Sequence, residues 1–124
     1  MATIQESGQN YLETILVLSK DGKKIRSVDI ASALDYSRPS VSVAVKKLRQ
    51  EGYIETDQDG FIILTESGKK IAEAVHERHI FLSNWLISLG VNEQVAIEDA
   101  CKIEHILSNQ SFEAIRTSIG DEPC

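Results

Sequence analysis

The residues best suited to chemistry stand together near the end of the chain, in Cys101-Lys102-Ile103-Glu104-His105. On a helix, positions i, i+3 and i+4 share one face, so Cys101 lies beside both Glu104 and His105. A thiolate, a carboxylate and an imidazole on one stripe make half of a transition-metal site. The competing reading of the string is a buried cysteine next to an ordinary surface Glu–His pair. Two further pairs have ligand-type side chains: Asn10 and Glu13, at i and i+3 near the start, and His76 and His79, the latter leading into Ile80-Phe81-Leu82. A lone histidine on an apolar face is more often a satisfied core residue than a ligand, and Asn10 and Glu13 alone read as solvent-facing. Cys101 with His105 as a nucleophile and base is weaker still. Placement at i and i+4 on one helix leaves little room for a substrate, and no Gly-rich phosphate loop is present. The chain reads as a non-enzyme.

The elements that must position these groups follow from the periodicity. Gln9–Lys20 has helical spacing, with Ser7 as its cap and Asp21-Gly22 as its stop. Ser27–Leu34 is a short second helix, capped by Ser27, with Ile30, Ala31 and Leu34 inward. Asp35-Tyr36-Ser37 is a tight connection, and Pro39 suits the first turn of a third helix that runs to Gly52. Val41, Ala44, Val45 and Leu48 are its inward side. The period then switches. Tyr53–Thr56 and Phe61–Leu64 are β-rich runs around Asp57-Gln58-Asp59-Gly60, where Asp-Gly supplies the positive φ of a hairpin turn. One long helix follows from Thr65 to Gly90, then helices over Asn92–Leu107 and Ser111–Ile119, and a frayed tail, Gly120–Cys124.

Three short helices and a hairpin are the order of a winged helix-turn-helix, whose third helix enters the major groove. The fold class is therefore mainly α with a small β-hairpin. Residues 1–72 are expected to form the DNA-binding domain and residues 73–124 an all-helical second domain that holds the Cys101-Lys102-Ile103-Glu104-His105 string. On the third helix, Ser37, Ser40 and Ser42 can approach base edges or phosphates. Pro39 and Val43 can touch thymine methyls, and Arg38, Lys46, Lys47 and Arg49 can neutralise phosphates. The net charge of −6 over 124 residues does not oppose this. Residues 1–75 carry 10 Lys+Arg and 11 Asp+Glu, whereas residues 76–124 carry 3 and 8. Phosphate binding depends on local charge, and Arg38–Gln50 contains no acid.

The length excludes a (β/α)₈ barrel or a full dinucleotide-binding dehydrogenase. A composition of 42% hydrophobic and 26% charged residues is that of a globular, not a disordered, chain. No apolar run of about 18 residues exists, and the N-terminus lacks the basic start of a secretory signal. Two cysteines make no disulfide framework, so the expected location is the cytoplasm.

Four strings extend the reading: N-Y-L-E-T-I near the start, S-V-D-I-A-S-A-L-D-Y-S-R-P-S-V-S in the turn-helix, L-T-E-S-G-K-K-I before the long helix, and A-C-K-I-E-H. With the order of elements, they resemble the diphtheria-toxin-repressor family over about residues 7–119. The resemblance implies a metal-activated bacterial repressor, a homodimer whose winged domains bind a palindromic operator in double-stranded DNA. The chain is similar to the two-domain, manganese-branch architecture. By position, the family's metal ligands fall on Asn10, Glu13, His79, Cys101, Glu104 and His105. Asn10 stands where members usually have a thioether or a carboxylate, and its amide oxygen is neutral and weaker. Cys101 matches the iron branch, where the manganese branch has a carboxylate. Ser83 and Ile97 stand where ancillary ligands of the iron branch would be, and His76 has no matching role. The thiolate favours Fe(II) over Mn(II), with Co(II), Ni(II) or Zn(II) as substitutes.

The expected control is electrostatic. A divalent ion neutralises Glu13, Cys101 and Glu104 and fixes the two recognition helices of a dimer one DNA turn apart, about 34 Å. Such ordering shifts affinity by ~1–3 kcal/mol. The dimer is expected from Phe81, Leu82, Trp85, Leu86 and Leu89, which exceed what a chain this size needs to bury. The rival readings are a metal-independent winged-helix regulator and a protein-interaction module using the acidic C-terminal helices.

Overall fold

The computed structural model describes residues 6–119, and the tail expected to fray lies outside them. Among the described residues are six α-helices and one antiparallel hairpin. They are α1 (Glu6–Leu18), α2 (Ser27–Leu34), α3 (Arg38–Gln50), β1 (Ile54–Thr56), β2 (Ile62–Leu64), α4 (Glu66–Ser88), α5 (Glu93–Ile106) and α6 (Asn109–Ser118). The chain divides into two compact units between Ala74 and Val75, inside the continuous α4.

The first unit is the winged helix-turn-helix. Leu12 and Ile15 of α1, Ile30 of α2, and Val41, Val45 and Leu48 of α3 are buried in one core with Ile54 and Ile62 of the hairpin. This is the 3.6-residue apolar spacing turned inward on every helix. Glu6 and Ser7 are already helical, ahead of the expected start at Gln9. The helix stops earlier, at Leu18, because Asp21 (φ 65°) and Gly22 (φ 77°) turn the chain through the left-handed region. The cap of α2 also differs from the expected Ser27. Arg26 is the cap, and its N–H donates to Asp29 Oδ2 at 2.8 Å, so the acid three residues on satisfies the first amide.

The hairpin pairs Ile54 with Leu64, Glu55 with Ile63 and Thr56 with Ile62. Its turn is closed by Asp57, whose Oδ1 accepts N–H groups from Asp59 and Phe61, both at 2.9 Å. The start of α4 is pressed onto the strand base. The Thr65 hydroxyl donates to the Gly52 carbonyl at 2.7 Å, and the Thr65 N–H to the Tyr53 carbonyl at 3.1 Å. A Cβ at position 68 would overlap that Tyr53 carbonyl, so Gly68 is a packing requirement.

In the second unit, Phe81 and Leu82 of α4, Ala100 of α5 and Phe112 of α6 form a buried cluster, with the Phe81 and Phe112 rings edge-on at 5.5 Å. Two of the residues expected to be surplus apolar surface are thus consumed inside the chain. Leu89, from the same expected set, is exposed, as are Ile80, Ile87, Val95, Ile97 and Ile106.

Candidate metal centre and nucleic-acid interface

The second unit builds one polar cluster on an apolar stripe. Asn92 caps α5, its side-chain oxygen accepting N–H groups from Gln94 at 2.9 Å and Val95 at 3.3 Å. From there Ala96, Ala100 and Glu104 recur every four residues and are all buried, at 0%, 0% and 2% exposure. Two alanines leave room for close helix approach, and the third place on the stripe is a carboxylate. Arg78 of α4 donates to the Leu107 carbonyl at 2.8 Å and stacks 4.8 Å over the Phe112 ring, tying α4 to the end of α5 and to α6. Arg116 of α6 adds an ion pair to Glu77 at 3.2 Å. Neither arginine stood out in the sequence, because a basic residue among charges on a long helix has no distinguishing spacing.

These ties set the geometry around Glu104. His79 Nδ1 of α4 lies 3.1 Å from Glu104 Oε2, and His105 Nε2 lies 3.3 Å from Glu104 Oε1. The donor atoms of Cys101, Glu104 and His105 all lie within 4.8 Å of one another. Two ligands of one ion are separated by at most twice a bond of about 2.0–2.4 Å, so this spread is close to what a shared ion allows. A buried carboxylate is costly without a cation or strong donors, and the set offers soft sulfur, borderline nitrogen and hard oxygen together. These residues fit a divalent transition metal. Ser83, one turn beyond His79, is buried, and Ile97 is partly exposed on α5. His76 is half-buried on α4. Asn10 and Glu13 are half-buried on α1 in the first unit.

The outer side of α3 is the second candidate. Ser37 caps the helix, accepting the Ser40 N–H at 3.3 Å, and its hydroxyl donates to the Ser40 hydroxyl at 2.8 Å. Pro39 then occupies the first turn, where its missing N–H is not needed. Ser37, Arg38, Pro39, Ser40, Ser42, Val43, Lys46 and Lys47 are all exposed. Val43 is 69% exposed, on the side of α3 opposite the buried Val41, Val45 and Leu48. Arg49 differs from this group, because its guanidinium donates to the Thr56 hydroxyl at 3.3 Å and braces β1.

Residues 3–61 match the family model of the iron dependent repressor N-terminal DNA binding domain, and residues 65–122 that of its metal binding and dimerisation domain. The chain belongs to the iron-dependent repressor family. This is the diphtheria-toxin-repressor group whose motifs the sequence carries, and its members are metal-dependent transcriptional regulators with this fold. Among this repressor's relatives, the transcriptional regulator MntR of Escherichia coli is 36% identical over 107 residues, covering 86% of this chain and 69% of that protein. An HTH-type transcriptional regulator of Methanocaldococcus jannaschii is 31% identical over 115 residues, covering 91% of this chain and 92% of that one. Among solved structures, the manganese regulator SloR superposes with a TM-score of 0.83 at 27% identity, over 98% of this chain. A manganese-dependent transcriptional repressor in complex with manganese gives 0.84 at 26%, over 93%. This repressor spans 56% and 53% of those two chains, about half their length. No helix among the described residues is long and apolar enough to cross a membrane.

Proposed function

We propose that this chain is a metal-activated repressor that binds a palindromic operator in duplex DNA as a homodimer and acts by binding, not catalysis. The observation that carries the proposal is the buried Glu104 carboxylate, which has His79 and His105 at 3.1 and 3.3 Å and shares with Cys101 and His105 a cluster of donors within 4.8 Å of one another. Cys101, Glu104, His105 and His79 would hold the ion. Asn10 and Glu13 are assigned to the ligand set on the family resemblance. When bound, the ion supplies the positive charge that lets a thiolate and a carboxylate share a poorly hydrated site. The chain's own residues do the rest. The Asn92 cap and the Arg78 tie hold α5 in place, the alanine stripe sets how deeply Glu104 is buried, and α3 presents its serines, Val43 and lysines.

Residues 1–72 are proposed as the DNA-binding part and 73–124 as the metal-binding and dimerisation part, in a cytoplasmic protein. The thiolate supports Fe(II) over Mn(II), whereas the names of the relatives point to manganese. Metal-free protein titrated with Mn(II), Fe(II), Co(II) and Zn(II), and scored against a random duplex library, tests the proposal. Glu104→Ala and His105→Ala are expected to abolish metal-dependent duplex binding while the protein stays folded. A variant that still binds only on metal addition shows the site to be misassigned. The short histidine–carboxylate distances favour a second reading, in which imidazolium groups balance Glu104 in a metal-independent regulator. Metal analysis of untagged protein separates the two.

A further inference from the structure

A wing that flanks a recognition helix meets the duplex backbone, so its charge matters. This wing has the opposing sign. From Gly52 to Leu64 the chain has Glu55, Asp57 and Asp59 and no lysine or arginine. Just before α2 the balance reverses, with Lys20, Lys23, Lys24 and Arg26 against Asp21 and Asp29. All four cations are exposed.

The basic strip is built onto the wing. Ile25 bridges to Ile62, its carbonyl accepting the Ile62 N–H at 2.8 Å, so the strip runs beside β2. The Arg26 guanidinium lies 4.4 Å from the Phe61 ring centroid and donates to the Asp59 carbonyl at 3.1 Å. The Lys24 ammonium lies 5.4 Å from the same ring. Contacts of this kind order long basic side chains without neutralising them. Two cations are thereby laid across an acidic hairpin. Beside them, Lys20, Lys23 and Lys24 line a depression of about 420 Å³ together with Asp21, Asp29, Val17, Leu18 and Ile25.

We infer that Lys23, Lys24 and Arg26 form a second phosphate-binding surface for the duplex backbone, supplying the positive charge that the wing itself lacks. The inference rests on the DNA-binding reading above. It is favoured over a small anionic ligand in the depression because the strip is continuous with both DNA-facing elements. Arg26 is the residue that opens α2, the helix that crosses the backbone in a helix-turn-helix.

The test measures duplex affinity against salt concentration, with metal present, for the wild type, K23A/K24A, K23R/K24R and K46A/K47A. Each phosphate contact contributes about 0.9 to the log–log salt slope, so K23A/K24A should lower its magnitude by about 1.8 per protomer. The weakening should be equal across duplex sequences, and K23R/K24R should restore the slope. Both lysines are exposed, and a thermal melt checks that the variants stay folded. An unchanged slope in K23A/K24A, with binding lost in K46A/K47A, overturns this inference and leaves the proposed function standing. A wild type that binds no duplex with any metal overturns both.

Discussion

Glu104 is a carboxylate on a stripe otherwise made of alanine, and its neighbours define what the site prefers. The thiolate of Cys101 is the softest donor in the cluster and the one most able to discriminate between ions. Cys101→Glu should therefore shift the ranking towards Mn(II) and away from Fe(II), Co(II) and Zn(II), by tenfold or more in relative affinity. Competition titration of metal-free protein checks this, and an unchanged ranking would show that sulfur does not set selectivity. Tyr11 offers a pH test in the other unit. Its burial, and secondarily the charge of Tyr36, push its phenol above the ordinary tyrosine value of 10.0. The neutral ring is the form the fold favours. That contribution is complete below pH 10 and is lost as pH rises through the raised value. Thermal melts from pH 9 to 11 should fall for the wild type and flatten in Tyr11→Phe.

Helix α4 shows what elements contribute. Its first turn is fastened to the hairpin base through Thr65 and Gly68, and a later turn delivers His79 to Glu104. Gly68→Ala would force a side chain into the Tyr53 carbonyl, which is backbone and cannot move aside. The expected cost is about 1–3 kcal/mol, or a drop of several degrees in Tm. A melt unchanged within one degree would mean that α4 slides freely over the strand base. The short L-T-E-S-G string was legible as a helix start, but Gly68 gave no sign of a close approach, because a glycine in a helix reads only as a weak helix former.

At the scale of the whole molecule, what counts is the apolar surface left outside the core. Of the five residues from which a dimer is expected, Phe81 and Leu82 serve the internal core, whereas Leu89 is exposed. Ile80 and Ile87 are 44% and 39% exposed and lie seven residues apart on one face of α4. If the protein pairs through this face, Ile80→Asp with Ile87→Asp should weaken the dimer at least tenfold, about 1.4 kcal/mol. Sedimentation over a concentration series reads the change, and an unaltered dimer would place the interface elsewhere.

Periodicity and turn chemistry determined most of the elements: the three inward stripes of α1 to α3, the Asp-Gly hairpin and the Pro39 helix start are local signals, decided by backbone sterics and burial. The i, i+3, i+4 grouping of Cys101, Glu104 and His105 is equally local, since one helix places all three. Tertiary structure alone decided that His79 meets Glu104, that Phe81 and Leu82 face inward, and that Arg26 braces the wing. Those contacts depend on which turn of one helix lies against another. That is settled by packing of whole side-chain surfaces, to which no single window of sequence has access.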